Sequence, residues 1–472
     1  MWRQRQFFIC RRAADYRPMT HIALDRYKLM HWLNARKVTP GMVAKRAKLP
    51  PEAIQSLFDE TMELGMAEAG RLADALHIPL KLLAAEEPLP SVIHATKAEI
   101  NATCRRLDRD GIHFYNYYTL PSPKGLICPV ILDILCPAER LPKQNNGHLE
   151  PAITVNIGPG DINGRWDGRH AEERNDDTWR MMRHNRGTES WILGDCYVEP
   201  SWCPHTYALA GAQPAQILSY TVKTSLEAFA ARTNNWSDAA FDAMVATYDD
   251  DDRPFATAAL AVLMERRGFN ADSLAKASNI GLSELKGFLD GDENAIAVAG
   301  LRQIGDTLAC DWRLLLAPVH RNDSLGKSWN SIEGATASIR PFKSYTVASM
   351  SMSARVPDMI GLFMKVEKPE THATLDLSEL SATHYLVSGG ALTLHWQEAN
   401  GSPRSASLGN GDALWVGPYV RHAFTGTGSL VKLGNGEGVS ALDQFELSNT
   451  FDLADTLKRG RRDRASWGYD NK

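Results

Sequence analysis

One passage of the chain occurs twice. Residues 194–207 read GDCYVEPSWCPHTY, and residues 411–424 read GDALWVGPYVRHAF. In register, Gly194 and Asp195 meet Gly411 and Asp412, His205 meets His422, and Tyr207 meets Phe424. The carboxylate Glu199 has no counterpart, because Val416 stands in its place. A β-hairpin lining a barrel carries a carboxylate and a histidine six residues apart into one pocket, so only the first copy offers that pair. The repeat therefore restricts the fold to a tandem arrangement with one working metal site and one structural copy.

The rest of the chain divides in the same way. From about Asp25 to Leu83, and again from about Phe255 to Leu316, apolar residues recur at i, i+3 and i+4, as on buried helix faces. Breaks of Pro, Gly and Asp keep these helices short, in the style of helix-turn-helix bundles. A β-rich region follows each bundle. The first holds IHFYNYYTL, LICPVILDILC, EPAITVNIG, WILGDCYVE and QILSYTVKT, and the second holds IGLFMKVE, HYLVSGGALTLHW, DALWVGP and LVKLGNG. Short strands with no helix between them favour an antiparallel barrel or jelly roll over a parallel sheet. The expected class is α+β, with a disordered N-terminal extension over 1–20, helical modules over 21–92 and 227–322, a metal-binding β region over 93–226 and a metal-free one over 323–472.

At 472 residues the chain exceeds a single ordinary core. A hydrophobic content of 44% with 23% charged residues is that of a soluble globular protein, and a net charge of −4 gives no general pull toward nucleic acid or anionic membrane. Seven scattered cysteines without a CxxC pair fit free thiols in a reducing compartment, so a cytoplasmic location is expected. The basic start MWRQRQFFICRRAADYRP has too short an apolar run for a secretory signal.

Chemistry concentrates in the first β-rich region, which supplies His148, Glu199 and His205. Two neutral imidazoles and one carboxylate on one face of a cation suit non-heme Fe(II) with open positions, and they also suit zinc. Glu199 lies in an apolar strand, where an unpaired carboxylate is costly. Pro200 and Pro204 restrict the backbone between Glu199 and His205. His384 and His422 of the second copy lack a carboxylate and read as structural relics. Arg109, Tyr117, Asn145 and Lys37 are groups suited to an anionic, oxygen-rich substrate.

The strings NNGHLEPAITVNIGPGDINGRW, RDGIHFYNYYTL, GDCYVEPSWCPHTY, KLMHWLNARK and RGRRDRASWGYDN closely resemble the 2-hydroxyethylphosphonate dioxygenases, a likeness running from about Asp25 to Asn471. The resemblance implies a tandem cupin (bicupin), each barrel preceded by a helical module, with iron in the first barrel only. It implies that His148, Glu199 and His205 hold Fe(II), and that Lys37, Arg109, Tyr117 and Asn145 surround the phosphonate and oxygen. The implied reaction cleaves 2-hydroxyethylphosphonate to hydroxymethylphosphonate and formate, without 2-oxoglutarate. The related methylphosphonate synthases take the same substrate to methylphosphonate and carbon dioxide, commonly with an amide as third ligand. Glu199 favours the dioxygenase outcome, while Trp202 places an unexpectedly bulky aromatic between the ligands.

Two other classes compete. A cupin-type helix-turn-helix regulator would carry basic or amide residues on its reading helix. The candidate helices PPEAIQSLFDETMELG and LSELKGFLDGDENA are acidic instead, so no nucleic-acid partner is expected. A zinc or manganese cupin isomerase would bind metal but would not consume oxygen. The expected partners are a small phosphonate and dioxygen, with no membrane. A monomer acting as its own pseudo-dimer fits the repeat.

Overall fold

The computed structural model describes residues 20–59, 63–109, 111–140, 144–166, 179–224, 226–248, 254–316 and 327–462. The expected extension over 1–20 lies, apart from Thr20, outside the described residues, as does most of the C-terminal basic string. The chain is α+β, and its contacts divide it into two units: Met1–Leu89 with Leu442–Lys472, and Pro90–Ala441.

In the N-terminal unit, side-chain caps set the helix starts. The Asp25 carboxylate accepts from Tyr27 N and Lys28 N and opens the helix Arg26–Arg36. Thr39 caps Pro40–Ala47, which has Pro at its first position. Lys37 ends the first helix in the left-handed conformation, at φ 56°. Leu29, Leu33, Val43, Ile54 and Leu72 are buried together as the core of these helices. The grouping of Leu442–Lys472 with this unit is a division that the sequence reading did not draw, and the helix Leu453–Arg462 touches Arg26–Arg36.

The larger unit contains a seven-stranded antiparallel sheet in the order Ser328–Asn330, Cys196–Glu199, Ala152–Pro159, Ala215–Thr221, Val130–Ile134, Ile112–Thr119 and Arg105–Arg109. Facing it is a three-stranded sheet of His205–Leu209, Ile162–Trp166 and Trp179–Met182. Between them lie Phe114, Tyr115, Ile134, Trp166, Tyr197 and Tyr207. The alternate residues point to the other face of the large sheet, as a period of two requires. There Val155, Val198 and Leu218 pack on Phe363, Leu386 and Val431 of a second, eight-stranded antiparallel sheet. Burial on both faces explains why these strands read as near-continuous apolar runs. The second sheet has its own inner core around Tyr385, Leu394 and Phe424. Helices such as Phe255–Arg267 and Val298–Leu308 lie in sequence between the two β regions, with Leu260, Leu285, Phe288 and Ile304 buried among them.

The two sheets exchange edge strands. Val92–Ala95 precedes the first β region yet pairs with Ala413–Val416 in the second sheet. Ser328–Asn330 precedes the second β region yet pairs with Cys196–Glu199 in the first. The repeated aspartates fasten both crossings. Asp412 Oδ1 accepts from Lys97 N at 2.9 Å, at the start of helix Lys97–Ala102. Asp195 Oδ1 accepts from Ile332 N at 2.9 Å, at the start of helix Ile332–Ala337. The conserved spacing of the internal repeat is thus the spacing of a clasp, made once in each direction.

Among the described residues no helix is long and apolar enough to cross a membrane.

Candidate metal centre

Strand alternation turns Tyr197 and Glu199 toward the space between the first two sheets, while Cys196 and Val198 join the opposite face. The chain then turns through Pro200–Pro204 and returns as His205–Leu209. At this turn Trp202 is left-handed, at φ 58°, and its N–H donates to His148 O at 2.7 Å. Gly147 makes that approach possible, since it has φ 75° and a Cβ there would lie 2.5 Å from the Trp202 carbonyl carbon. Asn145 completes the junction. Its N–H donates to His205 O at 3.0 Å, and its Oδ1 accepts from His205 N at 3.0 Å and Gly147 N at 2.9 Å. The His148 segment and the Glu199–His205 turn are therefore held together by backbone before any ligand arrives.

Potential ligand atoms of His148, Glu199 and His205 all lie within 4.8 Å of one another. His148 Nδ1 faces Glu150 O, and His205 Nδ1 is 3.0 Å from Cys203 O. An Nδ1–H donated to a carbonyl leaves Nε2 with its lone pair, which is the tautomer a metal requires. His148 Nε2 lies 3.2 Å from Glu199 Oε1, so two acceptors converge there unless a proton or a cation sits between them. Glu199 is 1% exposed, and its Oε2 is buried without a hydrogen-bond partner. Burial pushes the Glu199 carboxyl up, but His205, the His148 hydrogen bond and Lys327 outweigh it and hold it at about 2. The hydrogen bond to Glu199 raises His148 against the effect of burial, while burial lowers His205. An ionised buried carboxylate with an orphaned oxygen beside two imidazoles is a donor set that fits a divalent cation.

The other sequence candidates fall as follows. Asn145 belongs to the centre directly, its Nδ2 donating to His205 Nε2 at 3.0 Å. Tyr117 packs against the inner core beside Tyr115, with ring centroids 5.9 Å apart. Arg109 lies over the Phe114 ring at 5.0 Å, and its charge acts on the Tyr115 and Tyr117 hydroxyls, which burial raises. Lys37 belongs to the N-terminal unit as the end of its first helix. Trp202 does not fill the space between the ligands: its side of the turn faces outward and it is 60% exposed.

In the second copy, His422 repeats the local geometry of His205, with Nδ1 2.8 Å from Val420 O. The Tyr385 hydroxyl occupies its Nε2 at 2.8 Å, and Val416 lies where a carboxylate would stand. His384 does not share that space. It follows the opposite face of its strand and meets the Tyr220 ring at 4.9 Å. Strand alternation therefore sends the two histidines to different neighbours, His384 to Tyr220 and His422 to Tyr385.

Sequence reading missed Lys327. It is 1% exposed, its Nζ lies 3.6 Å from Glu199 Oε2, and it donates to Cys203 Sγ at 2.8 Å. The rings of Trp166 and Tyr197 lie 5.0 and 5.3 Å from it. No local pattern around KSWN marks the residue, because the strand exchange that delivers it is a tertiary event.

A family model described as the 2-hydroxyethylphosphonate dioxygenase cupin-like domain matches residues 101–222. The 2-hydroxyethylphosphonate dioxygenase of Streptomyces viridochromogenes is 44% identical over 450 residues, covering 95% of this chain and all of that protein. A solved cadmium complex of PhpD with hydroethylphosphonate is 42% identical with a TM-score of 0.79, covering 93% of this chain and 100% of that one. The Streptomyces albus enzyme, solved with 2-hydroxyethylphosphonate and Fe(II), shares the fold at 19% identity and a TM-score of 0.72, over 93% of this chain and 97% of that one.

Proposed function

The chain belongs to the 2-hydroxyethylphosphonate dioxygenase family, and on that premise we propose that it is a bicupin whose first barrel holds Fe(II) through His148, Glu199 and His205 and cleaves 2-hydroxyethylphosphonate with dioxygen. The observation that carries this reading is the buried Glu199 carboxylate beside two imidazoles, the potential ligand atoms of all three residues lying within 4.8 Å of one another. The products are hydroxymethylphosphonate and formate. The substrate supplies all four electrons taken by one dioxygen, so no 2-oxoglutarate is consumed. Fe(II), when bound, supplies the activation of dioxygen.

The protein's own residues bind and orient. Carbonyl oxygens of Glu150 and Cys203 fix both imidazoles, so that neither rotates on ligand exchange. Asn145 Nδ2, now spent on His205 Nε2, must release that nitrogen to a cation, and its two N–H groups then serve a phosphonate or dioxygen oxygen. Arg109 neutralises phosphonate charge, and Tyr117 donates a directed hydrogen bond, its hydroxyl kept protonated by burial.

Oxygen uptake by Fe(II)-loaded protein on addition of 2-hydroxyethylphosphonate tests the reading, with phosphorus NMR of the completed reaction identifying the product. Hydroxymethylphosphonate with formate is expected. Methylphosphonate with carbon dioxide would place the chain among the synthases, and no uptake would overturn the oxygenase reading.

A further inference from the structure

The internal repeat provides a control for the residues around the metal centre. Along the first exchanged strand, Val198 pairs with Ser328, so the next residues outward, Glu199 and Lys327, stand opposite each other. Along the second, Val416 pairs with Val92. Glu199 corresponds to Val416, and Lys327 therefore corresponds to Val92. Where the carboxylate is present its cross-strand neighbour is a buried lysine, and where it is absent both positions are valine. The lysine accompanies the ligand, and general packing of the strand exchange does not require it.

Its position defines what it does. The two oxygens of Glu199 have different surroundings: Oε1 lies 3.2 Å from His148 Nε2, while Oε2 lies 3.4 Å from His205 Nδ1 and 3.6 Å from Lys327 Nζ. Lys327 is pinned by the Cys203 sulfur and by the two aromatic rings, which leave its ammonium little freedom. We propose that Lys327 is a positioning residue that holds Oε2, so that Glu199 presents a single oxygen to the cation and leaves an adjacent coordination position open for substrate. This rests on Glu199 being a metal ligand. A carboxylate without such a partner can close onto a cation with both oxygens and fill the position that a phosphonate needs.

The test uses the full-length chain loaded with Cd(II), which does not turn over. In a crystal structure of the parent protein, one Glu199 oxygen is expected on the cation and Lys327 Nζ within hydrogen-bond distance of the other. In Lys327→Met, both oxygens are expected on the cation, and calorimetric binding of 2-hydroxyethylphosphonate weakens by roughly tenfold or more, while Cd(II) is still bound. Lys327→Gln, which restores a donor without the charge, returns single-oxygen binding and substrate affinity close to the parent. Two-oxygen binding in the parent, or one-oxygen binding with unchanged substrate affinity in Lys327→Met, overturns the proposal. The parent structure decides the matter even if the Met variant does not fold. A Cd(II) ion bound without Glu199 would instead overturn the underlying metal assignment, so the two failures are distinguishable.

Discussion

Replacing Glu199 by Met in the metal-free protein separates the ion pair from its surroundings. Both partners are buried, with side-chain exposures of 2% for Glu199 and 1% for Lys327. Glu199→Met takes the Glu199 carboxylate from beside the buried Lys327 ammonium, and removing one partner of a buried pair in this way costs about 3–5 kcal/mol. Lys327→Met is milder, because Glu199 keeps His148 and His205 beside it, and about 1–2 kcal/mol is expected. The double variant carries two apolar side chains of similar length and returns to within about 1 kcal/mol of the parent. The larger unit has roughly 350 residues, and at about 2.1 cal/mol/K per residue its unfolding entropy converts a 4 kcal/mol loss into a fall of about 5 °C in Tm. Scanning calorimetry of the four chelator-treated proteins closes the cycle. Additive losses in the double variant would show that the two groups do not interact and would refute the pairing.

Other outcomes follow from the same geometry. His148→Ala and Glu199→Ala abolish turnover and bound iron, whereas His422→Ala leaves activity within a few-fold of the parent; metal analysis beside the oxygen electrode checks this, and the reverse pattern would move the active centre to the second copy. Arg109→Lys keeps the charge but loses the planar fork, so steady-state kinetics should show KM raised by an order of magnitude or so with kcat less affected. Burial lowers His422 to about 4 and His384 to about 3, both below their unfolded values, so the neutral forms are favoured by folding. Their stability contribution is complete above about pH 6.5 and falls as the pH drops toward these values, by about 2 kcal/mol per residue at pH 5. Melting curves of His384→Phe between pH 7 and 5 should be flatter than those of the parent, and identical slopes would contradict the assignment.

Much of the centre was legible because its signals are local in sequence. The repeat isolates Glu199 as the residue that differs between copies, and Pro200 and Pro204 mark the turn that brings His205 back to it. The strands Ile112–Thr119 and Ala152–Pro159 were visible as apolar runs, but Ile162–Trp166 and His205–Leu209 were not, since Gly164 and Arg165 interrupt the first and the second is a five-residue stretch that begins with polar His205 and Thr206. Trp202 was misread because a sequence shows size and not conformation: at positive φ its side chain leaves the pocket, and only its N–H remains to hold His148. His384 and His422 looked alike as histidines, and the parity of strand positions separates them. Lys327 lies more than 120 residues from Glu199 and reaches it only through a strand pairing that no local pattern encodes.

The exchanged edge strands also govern how the two halves of the duplication can diverge. Each half carries the strand that completes the other, so a half expressed alone would expose an unfilled sheet edge and bear a strand with no partner. Among the described residues the cluster able to hold a metal lies in the first half, yet the second half cannot be deleted, because it lends its sibling both an edge strand and a buried lysine. A chain cut in the connection between the two β regions would yield fragments that complement one another and nothing else, and inheritance of the two halves as one reading frame keeps their stoichiometry fixed at one to one.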